Sequence, residues 1–161
     1  LQGNFNQQRI IGGVAEENAA DIEVLDDGYL VVSTNGTEAS GQSAYVWELQ
    51  RNIFEEPVYE HAITIESSSG SAVSFSIHSI ARYKTSYFVM AGQAGSGSSS
   101  RMIVFITDDE GNLLPGKQVI FGSTGSQSVN DVISDEAGNI YAVGIDRYES
   151  NSMISLLKFR F

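Results

Sequence analysis

The sequence predicts an all-β fold made of repeated four-stranded antiparallel sheets. Three observations carry this. First, the apolar residues fall in short runs of Val, Ile, Tyr, Phe and Leu, punctuated by Gly, Ser, Asn and Asp, which is the pattern of short strands joined by turns. Second, a polar turn followed by an apolar run recurs as "DDGYLVVST" (26–34), "KTSYFVMAG" (84–92) and "DEAGNIYAVG" (135–144). Third, runs such as "YLVV", "YFVM", "MIVFI" and "SLLKF" do not alternate between apolar and polar, as expected of strands covered on both faces.

The elements follow in order. A run at 8–14, centred on Arg9-Ile10-Ile11, opens the chain. "GGVAEENAADIEVL" offers the only helix signal, through Ala15 to Ala20, and it is short and follows Gly12-Gly13. Four strand-like runs, a to d, then recur in step. Strand a starts after Asp21, Ser79 and Asp131, at Ile22, Ile80 and Val132. Strand b aligns Tyr29-Leu30-Val31-Val32 with Tyr87-Phe88-Val89-Met90 and Asn139-Ile140-Tyr141-Ala142. Strand c aligns Tyr45-Val46-Trp47 with Met102-Ile103-Val104 and Met153-Ile154-Ser155. Strand d aligns His61-Ala62-Ile63 with Gln118-Val119-Ile120, and Arg9-Ile10-Ile11 shares its phase. The repeats span about 15–65, 66–122 and 123–161, in one segment covering 1–161. Pro57 and Pro115 are assigned to connections, and "GQAGSGSSSR" (92–101) to a long loop between strands.

Four strands per unit, repeated every 40 to 55 residues or so, is the signature of a β-propeller blade. Radial stacking covers both faces of each sheet. The expected core is Ile22, Leu30, Val32, Ile80, Phe88, Met90, Val132, Ile140 and Ala142. Three blades are fewer than the usual four to eight. The expectation is therefore the C-terminal portion of a six- to eight-bladed ring, with the start at Leu1 rather than Met fitting an upstream segment. The strands at 9–11 and 154–159 should not pair within one copy, and the end faces should meet other polypeptide. A two-sheet β-sandwich is the alternative.

Composition narrows the function. The 161 residues suit one domain, and the net charge of −11 with nine scattered Lys and Arg argues against nucleic acid and anionic membrane surfaces. No cysteine is present, so disulfides, thiolate metal sites and cysteine nucleophiles are excluded. No apolar run reaches the length of a membrane span.

"DDGYLVVST", "NDVISDEAGNIYAVG" and "IVFITDDEGNLL" resemble the β-propeller repeats of secreted and outer-membrane-associated proteins of Bacteroidota. The likeness covers nearly the whole chain, although "ARYKTSYFVMAG" lacks the Asp-Gly turn. It implies an extracytoplasmic place: secreted, at the cell surface, or carried on the outer membrane by a lipoprotein. "TDDEGNLL" (107–114) also resembles a broken Asp-box of sialidase-like propellers, with Thr107, Asp109 and Gly111 in spacing and Leu113-Leu114 in place of Thr-Trp.

Candidate sites are few. Asp108, Asp109 and Glu110 are weak calcium candidates, against a plain Asx-turn hairpin. His61 and His78 are the only histidines and lie in predicted strands, without the nucleophile elbow or clustered ligands that catalysis or zinc would need. The sequon Asn35-Gly36-Thr37 matters only in a glycosylating host. Trp47, Phe54 and Tyr59 are the partner-binding candidates, because aromatic side chains anchor proteins and stack on sugars. No catalytic residue, cofactor or required metal is expected. The reading is a non-catalytic scaffold for protein–protein interaction in a larger assembly, with other chains or further blades of the same protein as partners. The alternative is a glycan-binding or sialidase-like propeller, for which the arginines do not cluster at equivalent blade positions.

Overall fold

The computed structural model describes residues 17–25, 28–35, 44–50, 59–66, 70–95, 97–149 and 151–161, with the backbone alone for 17, 28–35, 50, 59 and 60. The chain is all-β and its sheets are antiparallel. The strands are β1 (Glu17–Val24), β2 (Gly28–Asn35), β3 (Ala44–Gln50), β4 (Tyr59–Ile63), β5 (Phe75–Tyr83), β6 (Tyr87–Ala94), β7 (Arg101–Asp108), β8 (Leu113–Phe121), β9 (Ser126–Ser134), β10 (Ile140–Tyr148) and β11 (Asn151–Phe159). Glu17 to Ala20, inside the one stretch with a helix signal, is strand. The run 8–14 lies outside the described residues.

Each sheet is a meander. The orders are β1-β2-β3-β4, β5-β6-β7-β8 and β9-β10-β11. Three separate sheets replace the two of a sandwich. The expectation of three four-stranded sheets is corrected at the third, which has three strands among the described residues, β9, β10 and β11. Pro115 lies within β8 rather than a connection. It is tolerated because β8 is an edge strand, where one face of the backbone donates no ladder bond. The connection between β6 and β7 is short, residues 95–100, with a 3-10 turn at Gly97–Ser99.

The first strands of the sheets lie side by side, with β5 packed against β1 on one flank and β9 on the other. The second sheet is therefore covered twice. Ile80, Phe88, Met90, Ile103 and Phe105 pack toward Ala44, Val46 and Ile63 of the first sheet. Val89, Ala91, Met102 and Val104 pack toward Val129, Val132, Ile140 and Ala142 of the third. This accounts for the missing alternation in β6 and β7, which are buried almost throughout.

Ile22 corrects the predicted core: it is 53% exposed. It stands in the register of Ile80, opposite Val31 as Ile80 is opposite Met90, but no described sheet covers it. The side chains of Leu30 and Val32 are outside the described residues, and the other six predicted core residues are buried.

Register also corrects the alignment of strand c by one residue. Ala91 pairs Val104 and Val143 pairs Leu156, so Leu156, not Ser155, is the counterpart of Val104. Strand b of the first repeat is corrected by one residue as well: Ile22 pairs Val31 where Ile80 pairs Met90, so Val31, not Val32, is the counterpart of Met90, and Trp47, which pairs Val31, is the counterpart of Phe105, which pairs Met90. One residue moves a side chain to the opposite face, which decides what each end of the molecule presents.

Every first strand carries a bulge at the same place: at Ala20 in β1, His78 in β5 and Asn130 in β9. Beside two of them stand Gly92 and Gly144, where a Cβ would overlap the carbonyl oxygens of Ser76 and Ser128. Only glycine admits so close a backbone approach.

Candidate functional site

The bulges turn Asp21, Ser79 and Asp131 toward one another across three first strands. The Ser79 hydroxyl lies 3.0 Å from Asp21 Oδ2 and 2.8 Å from Asp131 Oδ1. It has one proton for two carboxylate acceptors. Backbone amides complete the column. Ile80 N–H donates to Asp21 Oδ2 at 3.0 Å, and Val132 N–H donates to Asp131 Oδ1 at 2.9 Å and to Ser79 Oγ at 3.3 Å. Each junction thus joins a side chain of one sheet to the backbone of the next. Asp131 Oδ2 has no partner among the described residues. His78, at the bulge of β5, donates from Nδ1 to the Val129 carbonyl at 2.7 Å, and Ser76 Oγ lies 3.2 Å from its Nε2. It stitches the second sheet to the third.

The carboxylates at 108–110 belong to a turn. Asp108 Oδ1 accepts from the backbone of Glu110 and Asn112 at 3.1 and 2.7 Å, and Oδ2 accepts from Asn112 Nδ2 at 3.0 Å. Gly111 has φ 85°, and a Cβ added there would lie 3.4 Å from the side chains of Val46 and His61 of the first sheet. Asp108, not the Asp109 of the Asp-box spacing, closes the turn. The same device recurs at 135–139, where Asp135 accepts from Asn139 N and Nδ2 at 2.8 and 2.7 Å and from the Tyr141 hydroxyl at 3.0 Å. These bonds hold the Asp135 carboxyl below the usual aspartate range, the Asn139 side chain foremost. Among the described residues no group of three or more His, Asp and Glu is arranged to hold a metal ion.

The two ends of the sheet array carry exposed apolar side chains. On the third sheet these are Ile133, Val143, Ile154 (84% exposed) and Leu156 (77%). Val143 pairs Leu156 and Ile145 pairs Ile154, so they form one continuous face. On the first sheet Ile22 and Val24 are exposed, and Trp47 is half-buried in the register of Phe105. Trp47 is thus the predicted partner residue that the fold brings to an end face. Tyr59 begins β4 opposite Glu48, its side chain outside the described residues, as is all of Phe54. The sequence contained no signal for Ile154 and Leu156 beyond their apolar character, because their face depends on register.

Beside β11, an open groove of about 350 Å³ runs between the outer strands of the second and third sheets, lined by Val119, Phe121, Leu157, Phe159 and Phe161 among others. Phe121, Phe159 and Phe161 meet edge to face, at 6.4 and 5.7 Å between centroids.

No protein-family model matches the chain, and no curated protein matches it.

Proposed function

We propose that the chain is a run of β-propeller blades in an extracytoplasmic protein, and that it serves as a non-catalytic scaffold binding further polypeptide at its ends. One observation carries the reading. Ala91, Met102 and Val104 of the second sheet are buried against a neighbouring sheet, and their counterparts Val143, Ile154 and Leu156 of the third are exposed. A contiguous apolar face of this kind marks a protein–protein contact. The meander order and the packing of β5 between β1 and β9 support the blade reading.

The test is site-specific photocrosslinking in the host cell. A photoreactive residue at Ile22 or Leu156 is expected to crosslink to polypeptide, whereas one at exposed Glu136 is not. Equal crosslinking at all three positions would overturn the reading. So would saturable glycan binding that is lost on substituting Asp108 and Asp109.

A further inference from the structure

We propose that Asp131 selects the polypeptide that covers the third sheet: the docked strand lies beside β9 and gives Asp131 Oδ2 a backbone N–H and the side-chain hydrogen of a Ser, Thr or Asn. An apolar residue follows that donor in the docked strand. The proposal rests on the scaffold reading and names the chemistry that its partner presents at this end.

The first argument is the donor pattern at the junctions within the chain. Asp21 Oδ1 accepts from its own neighbour, Ile22 N–H, at 2.8 Å. Its Oδ2 is left to the next sheet, and is faced there by the Ser79 hydroxyl and Ile80 N–H, each at 3.0 Å. Asp131 repeats the first half. Its Oδ1 accepts from its own neighbour, Val132 N–H, at 2.9 Å, and faces the Ser79 hydroxyl of the preceding sheet at 2.8 Å. Its Oδ2 is the oxygen with no partner among the described residues. At the second junction the next sheet again brings the backbone N–H, from Val132 to Ser79 Oγ at 3.3 Å. A strand set on the third sheet as β5 is set on the first therefore meets Asp131 Oδ2 with the same two donors.

The second argument is the surface around that oxygen. Val143 pairs Asp131 as Ala91 pairs Ser79. Ala81, Ala91 and Val104 of the second sheet pack against Val132 and its neighbours in the third. Their counterparts Ile133, Val143 and Leu156 are exposed. The outer face of the third sheet thus continues an interface that the molecule already forms. In both first strands that dock on a described sheet, the residue after the column is apolar and buried: Ile80 is 3% exposed and Val132 2%. The docked strand needs the same residue to cover Val143 and Leu156, and that cover keeps water from Asp131, where hydrogen bonds to a charged acceptor are strong.

The third argument is charge. Along the column a carboxylate, a hydroxyl and a carboxylate follow one another, so that Ser79 stands between Asp21 and Asp131. A docked strand with Asp or Glu in the column would oppose two carboxylates with no proton between them, and like charges so opposed weaken a contact. A second copy docked head to tail would bring its Asp21 to this place. The occupant is therefore a strand of other sequence than β1, with a neutral donor in the column.

Photocrosslinking in the host cell tests this, with the photoreactive residue at exposed Ile133, on the same face of β9 as Asp131. The attached peptide is sequenced by mass spectrometry. It is expected to hold Ser, Thr or Asn followed by Val, Ile or Leu at the point of attachment. Asp131→Asn keeps Oδ1 for Val132 and Ser79 and puts an N–H donor in place of Oδ2. It should lower the crosslinking yield at Ile133 about tenfold, and the Tm of the purified variant should stay within about 2 °C of wild type. The proposal is overturned if the attached peptide carries Asp or Glu in that place, residues 17–24 of a second copy included. It is equally overturned if Asp131→Asn leaves the yield unchanged or raises it, or if its Tm falls further, which would make Asp131 a residue of internal packing. Crosslinking at Leu156 that survives Asp131→Asn removes this proposal and leaves the scaffold reading standing. No polypeptide at either Ile133 or Leu156 removes both.

Discussion

Ser79 holds the centre of the molecule with a single proton. Its hydroxyl bridges Asp21 and Asp131 and accepts from Val132 N–H, in a side chain only 2% exposed. Ser79→Ala removes the bridge and leaves two carboxylates facing a methyl group. The cost should be about 1–3 kcal/mol, read as a fall in Tm of roughly 2–4 °C per kcal/mol in a chain of this size. An unchanged Tm would mean that the column contributes nothing. Asp135 gives a pH signature. Its carboxyl is held low by Asn139, then by Tyr141, so its folded pKa lies below its unfolded one. That contribution is present above the unfolded aspartate range and is lost as the pH falls through the folded value. Thermal melts should show wild type losing stability below about pH 4, with Asp135→Asn losing less over the same interval. Parallel acid limbs would count against the assignment.

At the scale of strands and turns, position was legible and facing was not. Asp21, Ser79 and Asp131 align as a column in the repeat, and most described strands contain an apolar run of the repeat, while β1 begins in the stretch with the helix signal and β8 takes in Pro115. Two things hid the rest. Strands buried on both faces carry no alternation, so the offset of β11 was misplaced by one residue and Leu156 with it. The bulges at Ala20, His78 and Asn130 add a residue that no local pattern announces; Gly144 stood at the end of an apolar run, and Gly92, assigned to the loop 92–101, lies inside β6, where a strand glycine marks close backbone approach. Gly92→Ala and Gly144→Ala should each destabilise by about 2–4 kcal/mol, since the added Cβ meets a backbone carbonyl that cannot move aside. A Tm within about 2 °C of wild type would show that the bulge relaxes. The Asp108 turn makes the opposite kind of prediction. Both of its carboxylate oxygens are taken by backbone and Asn112 donors, so chelator should move Tm by less than about 2 °C, which is under roughly 1 kcal/mol. A larger fall would reinstate a cation at 108–110.

For the whole molecule, place in the sheet array outweighs chemistry. Val104 and Leu156 hold the same register position in successive sheets, yet Val104 is fully buried and Leu156 is 77% exposed. The same substitution should therefore have opposite results. Val104→Glu puts a carboxylate between the second and third sheets with no partner, a cost of about 4 kcal/mol or more that unfolds a marginal domain. Leu156→Glu leaves the internal packing untouched, and the stability of a single chain should stay within about 0.5 kcal/mol. What it should lose is concentration dependence. If copies of the chain associate through the outer face of the third sheet in the folded state, the wild-type Tm rises with protein concentration by mass action, and the Leu156→Glu Tm does not. Thermal melts of both variants over a hundredfold range of concentration or so make the comparison. If Leu156→Glu unfolds as Val104→Glu does, the outer face is part of the core of one copy.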